Sequence, residues 1–546
     1  MKNLFVLVLV TLSHVGFSQS QGPKSPERPK LVVGIVVDQM RQEYFYRYQD
    51  RFVEDGFKRL MNEGFMMKNG HYNYIPTYTG PGHASVYTGT TPATHGIIGN
   101  NWYVRSLSRS IYCAEDSTVT GVAGSPSNGE ISPRNLLSST ITDELMFATG
   151  KRSKVVGIAI KDRGAALPAG HLGDAYWYDA KTGEFMTSSY YYDELPEWAK
   201  AFNARKLPEK YLSETWETLF PLESYLQGAA DDNDFESPFI GMDTPTFPYD
   251  LAALKDNNGG LGLISTTPYG NTLTLDLAYA ALEGEQLGKR GVTDFLAVSF
   301  SSTDYIGHRF GPSSVEVEDN YLRLDRELAE FFDYLDREIG EGEYLVFLTA
   351  DHGVADVVSY MQSERVAAGS LDTRFVLTQL KGFTNQQFGE GDWISNYSNE
   401  QVFLNRELAR EKGLDLVEMQ RKLADFMLRF DGIKETYTAE DLRRLEYNHG
   451  RKHLLQMGFN HKASGDVMVI LEPAWLTNSV RGTTHGTGYT YDTHVPIVFY
   501  GWGVPAGSSS RYATITDIAP TLSMLLNTRL PNGASGQPIG EIVDAK

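Results

Sequence analysis

Four apolar runs, rich in β-branched residues and each about one strand long, constrain this chain more than any other feature. LVVGIVV runs into Asp38, SKVVGIAI into Lys161-Asp162-Arg163, FLAVSF into the polar segment 301–308, and EYLVFLTA into Asp351-His352. Uninterrupted apolar runs of this length fit strands covered on both faces, which is the pattern of a parallel sheet. Amphipathic stretches such as 315–339 supply the helices that such a sheet needs between its strands. The expected fold class is therefore α/β. In an open parallel sheet, ligands bind at the carboxyl ends of the strands. One polar strand end is unremarkable, since Asp38 alone also reads as a helix N-cap and Lys161 with Arg163 as a solvated loop. Four such ends in one chain predict a site.

The stretch Asn73–Trp102 supplies the complement. It is dense in Thr, Gly and Pro, and Thr79-Gly80-Pro81-Gly82-His83 reads as a sharp turn placed just before a helix over 84–88. Helix N-terminal amides favour an anion, so Thr79 is the hydroxyl expected to be presented for chemistry. The neighbouring threonines, His83 and His95 read as capping and scaffold residues. His449, His453 and His461 lie far from any strand end and read as surface histidines.

A formal net charge of -20 argues against a nucleic-acid or anionic-membrane partner. It leaves a small phosphate substrate open, because nearby cations set the local field. Cys113 is the only cysteine, so a disulfide framework is excluded. Residues 1–20 have a basic start, a short apolar core and small polar residues after it, the pattern of a secretory signal peptide. The mature chain is expected to be periplasmic or secreted, without a membrane span, and monomeric. A single catalytic domain over 30–545 is expected, with insertions over about 205–265 and 358–465 forming a cap or rim.

Six metal-ligand candidates are available: Asp38, Asp304, His308, Asp351, His352 and His485. Asp304 and His308 are four apart, which puts them on one helix face. Asp and His suit zinc, and six of them match two tetrahedral metals that keep open positions. Such a pair would activate the Thr79 hydroxyl and stabilise a leaving alkoxide. Lys161 and Arg163 would neutralise the non-bridging oxygens of a transferring phosphoryl group, and Asn100 would add a neutral donor.

Asp38 at its strand end, the TGPGHAS turn at Thr79, Asp304-x3-His308, the ADHG at 350–353, the THG at 484–486 and the late Asp517-Ile518-Ala519-Pro520-Thr521 together resemble the alkaline phosphatase superfamily of two-metal phospho- and sulfohydrolases. The resemblance is narrower to secreted bacterial phosphate-irrepressible alkaline phosphatases with a threonine nucleophile. It implies a three-layer sandwich around a mostly parallel sheet with inserted cap segments. It also implies hydrolysis of small-molecule phosphate monoesters through a phosphothreonine at Thr79. Asp304, His308 and His485 would bind one Zn2+, and Asp38, Asp351 and His352 a second that also contacts Thr79. Asn100, Lys161 and Arg163 would bind substrate. The alternative within the superfamily is a phosphodiesterase or nucleotide pyrophosphatase, against which the Lys161/Arg163 pair speaks.

Overall fold

The computed structural model describes residues 27–544, so the expected signal peptide lies outside the described residues. The four apolar runs form strands β1 (Leu31–Val37), β2 (Val155–Ala159), β3 (Asp294–Phe300) and β4 (Tyr344–Thr349), every residue of them buried. They lie side by side in parallel in the order β4-β1-β3-β2 near the middle of a ten-stranded sheet. The sheet turns antiparallel at Ile497–Gly501 on one side and at Glu184–Ser188 on the other. Strands buried along their whole length need cover on both faces, and helices supply it, giving the expected α/β sandwich. Each buried Val, Ile, Leu or Phe contributes roughly 1.5–3 kcal/mol, so the strand ends are anchored far more firmly than the loops that leave them.

Register then does the positioning. Val37 stands opposite Phe300, Val36 opposite Thr349, and Ser299 opposite Ala159. Asp38, Lys161, the segment from Ser301 and Asp351 therefore leave the sheet along one edge. From this edge run helices α1 (Thr79–Thr88), α2 (Asp162–Ala169) and α3 (Ser302–Phe310). The expectation of a helix beginning at residue 84 needs correcting: it starts at Thr79, with Tyr78 as N-cap. Gly-Pro-Gly is poor inside a helix but tolerated in its first turn, where backbone N–H groups have no intrahelical partner anyway. The helix Ile141–Ala148 opens on a capping box formed by Thr140 and Asp143.

Residues 205–265 are mostly irregular and are tied to the long helix Val315–Leu335. Trp216 Nε1 and the Tyr225 hydroxyl both donate to Asp319, at 2.8 and 2.7 Å. Farther along, the Ser237 amide donates to the Arg309 carbonyl and the Gly482 amide to the Phe235 carbonyl, so this excursion borders the end of α3, which carries His308, and the loop carrying His485. The segment after residue 358 builds its own four-stranded sheet from Ile394–Ser398, Gln401–Leu404, Val467–Leu471 and Ile433–Thr438. A separate apolar cluster including Val376, Trp393, Leu423 and Met427 packs against it.

Glu236 of the excursion meets Glu316 of the long helix in a buried acid pair, with the Tyr249 hydroxyl donating to Glu316. Burial, then the charge of Glu316, holds Glu236 well above the ordinary carboxylate range, and burial, with Asp231 and Asp319 nearby, raises Glu316 to about 8. The folded state thus keeps protons that the unfolded state has released above pH ~4.5. Stability is expected to fall as pH rises through the neutral range, by up to about 1.4 kcal/mol per pH unit for each retained proton. Glu316→Gln should flatten that slope in thermal melts recorded across pH 5–8. An unchanged slope would mean that the pair is not the source.

Candidate active site

Thr79 is the first residue of α1 and is buried at 1 % exposure. Its Oγ1 lies 3.4 Å from His352 Nε2 and 3.5 Å from an Arg163 terminal nitrogen. The helix can approach this closely because position 82 is glycine: a Cβ there would stand 2.3 Å from the Asp351 carbonyl oxygen. Asn100 Oδ1 accepts from the Gly80 amide at 2.7 Å, fixing the asparagine beside the nucleophile's turn. Arg163 is held by the Tyr112 hydroxyl at 3.1 Å, and that hydroxyl donates to Asp162.

Two groups of metal-capable side chains flank Thr79. Asp38, Asp351 and His352 bring one ligand atom each within 4.8 Å of the others, as do Asp304, His352 and His485. The structure places His352 between the two groups, its ring stacked on His485 with centroids 3.5 Å apart. His308 stands at the side of the second group, with Nε2 3.1 Å from Asp304 Oδ1 and its ring 5.1 Å from that of His485. All six ligand candidates therefore converge, although they lie as far apart in sequence as residues 38 and 485.

The donor set fits divalent cations. In all three imidazoles Nδ1 is tied to a backbone carbonyl: His308 to Thr483 at 2.7 Å, His352 to Gly353 at 2.9 Å, His485 to Thr77 at 2.7 Å. That bond fixes the tautomer and leaves Nε2 as the ligand atom. Asp38 Oδ1 and Asp351 Oδ2 are buried and have no hydrogen-bond partner among the described residues, a costly state for a carboxylate oxygen unless a cation takes it. Burial, then the charge of Asp351, drives Asp38 well above the carboxylate range; burial pushes Asp351 up to about 6 and His352 down to about 3.

Lys161 does not sit with Arg163 against Thr79. Its ammonium lies between the two groups, 2.6 Å from Asp38 Oδ2 and 2.6 Å from Asp304 Oδ2. Burial disfavours its charge, but Asp304 and Asp38 outweigh that and raise its pKa.

Gln39 and Asp492, neither of which stands out in the sequence, support this centre. The Gln39 side chain donates to Asp304 Oδ1 at 2.6 Å and its amide to Asp351 Oδ1 at 3.1 Å. Its position directly after Asp38 was the available clue. Asp492 accepts from the amides of Gly486 and Thr487 and so holds the loop carrying His485. His83 bonds the Thr79 carbonyl at 2.9 Å and Ser299 at 2.8 Å, and His95 bonds Ser85, both in scaffold roles. His449 and His461 are exposed, and His453 binds the Tyr447 carbonyl.

Residues 32–495 match the family model of type I phosphodiesterase / nucleotide pyrophosphatase. A protein of Myroides odoratus named calcium-transporting ATPase is 46 % identical over 95 % of each chain. The alkaline phosphatase PafA of Elizabethkingia meningoseptica is 44 % identical over 97 % of each chain. A crystal structure of a PafA variant, in which a threonine, an asparagine, a lysine and an arginine are replaced, superposes with a TM-score of 0.91 at 42 % identity. It covers 95 % of this chain and 99 % of that one. The chain thus belongs to the type I phosphodiesterase / nucleotide pyrophosphatase family of the alkaline phosphatase superfamily, alongside the bacterial alkaline phosphatases of the PafA type.

Proposed function

We propose that this protein is an alkaline phosphatase that hydrolyses small phosphate monoesters through a covalent phosphothreonine at Thr79. The observation that carries the reading is the convergence of a buried threonine hydroxyl, the Arg163 guanidinium and Asn100 beside two carboxylate–imidazole groups. The PafA variant alters the same four residue types as Thr79, Asn100, Lys161 and Arg163.

Two Zn2+ per chain suit the donors, one on Asp304, His308 and His485 and the other on Asp38, Asp351 and His352. Bound there, they would lower the pKa of the Thr79 hydroxyl and offset charge on the departing oxygen. The remaining chemistry falls to the chain. Thr79 Oγ1 forms a bond to phosphorus as the ester P–O bond breaks, and the alcohol leaves with a proton. Water then attacks the same phosphorus from the vacated side, releasing inorganic phosphate and restoring the hydroxyl. Two in-line displacements leave net retention at phosphorus. Arg163 presents its fork to the non-bridging oxygens. The Asn100 carbonyl is engaged by Gly80, so the NH2 end of that amide is the donor left for substrate. Lys161, which here bonds Asp38 and Asp304, would share those carboxylates with bound cations, and its flexible stem would let the ammonium turn to the phosphoryl group.

The family name includes diesterases, and a diester is the second reading. A monoester dianion carries one more charged oxygen, and two cationic side chains match it better than they match a diester. Wild-type protein should therefore hydrolyse an aryl phosphate monoester far faster than its methyl diester; equal rates would sink the proposal. Dialysis against a chelator is expected to abolish hydrolysis and lower Tm by several degrees, with zinc restoring both, since a ligand bound only by the folded state stabilises it. Metal analysis should return about two zinc per chain; a fully active preparation with less would contradict the assignment. No helix among the described residues is long and apolar enough to cross a membrane, and we place the mature protein outside the cytoplasm, as a monomer.

A further inference from the structure

The turn Asn399–Glu400, more than 300 residues downstream of the nucleophile, touches both segments that present it. It joins Ile394–Ser398 to Gln401–Leu404, with Ser398 paired to Gln401, so it is a two-residue hairpin turn. Both turn residues have left-handed backbones, φ 52° at Asn399 and 55° at Glu400. Asn-Gly is the pair such a turn favours. Asparagine is present at the first position, but glutamate stands where glycine would be least strained. A strained residue is held there by what surrounds it.

The Glu400 side chain has a specific partner. Tyr78, the residue before Thr79 and the N-cap of α1, donates its hydroxyl to Glu400 Oε2 at 3.0 Å. The Tyr78 ring in turn stands edge-on to His485, with centroids 5.6 Å apart. Position 486 must be small for this: its φ is +127°, and a Cβ there would lie 2.7 Å from the Tyr78 ring. Asn399 holds the other side. Its Nδ2 donates at 2.7 Å to the carbonyl of Asn101, the neighbour of the Asn100 that receives the Gly80 amide. The turn is itself fixed from behind, because the Val469 amide donates to the Glu400 carbonyl at 2.9 Å.

We propose that the Asn399–Glu400 turn of the inserted segment is a positioning clamp that sets the Thr79 and Asn100 segments against each other. Glu400 acts through Tyr78 and touches no reacting atom. It is a positioning residue, and its role rests on the monoesterase reading above. Small misplacements of a nucleophile cost rate without unfolding a protein, about 100-fold for 1 Å.

The test uses zinc-loaded full-length protein, an aryl phosphate monoester, and thermal melts of each variant. Glu400→Gly removes the carboxylate and relieves the left-handed backbone. It should leave Tm unchanged or raised while kcat falls by about tenfold or more. Tyr78→Phe should lose a similar factor, and the double variant no more than either single one, because both remove one interaction. Glu400→Gln keeps an acceptor for Tyr78 and should recover most of the rate. Wild-type kcat in Glu400→Gly, multiplying losses in the double variant, or a loss of kcat that follows a lowered Tm would each overturn the clamp. A wild type without monoesterase activity would overturn the functional reading and the clamp with it, whereas an active wild type with an unimpaired Glu400→Gly overturns the clamp alone.

Discussion

Thr79→Ala is expected to lower kcat/KM for a phosphate monoester by about 10⁴-fold or more, the scale seen when a covalent nucleophile is removed. The loss should fall mainly on kcat. Alanine leaves Arg163, Asn100 and both carboxylate–imidazole groups in place, so substrate should still bind. Thr79→Ser is the control. It keeps the oxygen at the first position of α1 and loses only a methyl group, and should stay within about tenfold of wild type. Steady-state kinetics on the three proteins checks this. A Thr79→Ala variant within tenfold of wild type would mean that water attacks the ester directly.

The second large effect concerns charge recognition. Lys161→Ala/Arg163→Ala should lower monoester hydrolysis by about 10⁴–10⁶-fold, taking about 10²–10³ for each of the two donors lost from a transition-state oxyanion. Diester hydrolysis should change far less, because a diester lacks the extra charged oxygen, so the monoester preference should shrink. The two side chains are not equivalent in the structure. Arg163 faces Thr79 Oγ1, whereas the Lys161 ammonium bridges Asp38 and Asp304. Lys161→Ala alone is therefore expected to alter zinc affinity as well as kcat, and Arg163→Ala to act on kcat without that change. Zinc titration of the two single variants distinguishes them. Equal loss on both esters in the double variant would contradict the monoester assignment.

How much of this was legible in the sequence follows from the physics of each element. β1 to β4 were legible because a strand buried on both faces must be apolar throughout, and its first polar residue marks the sheet edge. Asp38, Lys161 and Asp351 were found that way. His308 was legible from helical spacing to Asp304, and the division of the six ligands between two metals only from ordered motifs spread across the chain. The start of α1 was missed because Gly-Pro-Gly reads as a turn, while in the fold it fills a helix's first turn against Asp351. The true orientation of Lys161 was not legible either. Its spacing to Arg163 suggests a shared target, but its partners are carboxylates more than 120 residues away in each direction. Tyr78, Asn399 and Glu400 carried no periodicity and no motif; their contacts exist only once the hairpin at 394–404 reaches the α1 N-terminus.

The central claim is that phosphate passes through Thr79. Mixing wild-type protein with excess aryl phosphate, quenching in acid within the first turnovers and mapping the digest by mass spectrometry tests it directly. One phosphoryl group is expected on the peptide carrying Thr79, absent from Thr79→Ala. Rapid hydrolysis with no phosphorylated peptide, together with inversion at a chiral phosphorus, would contradict it.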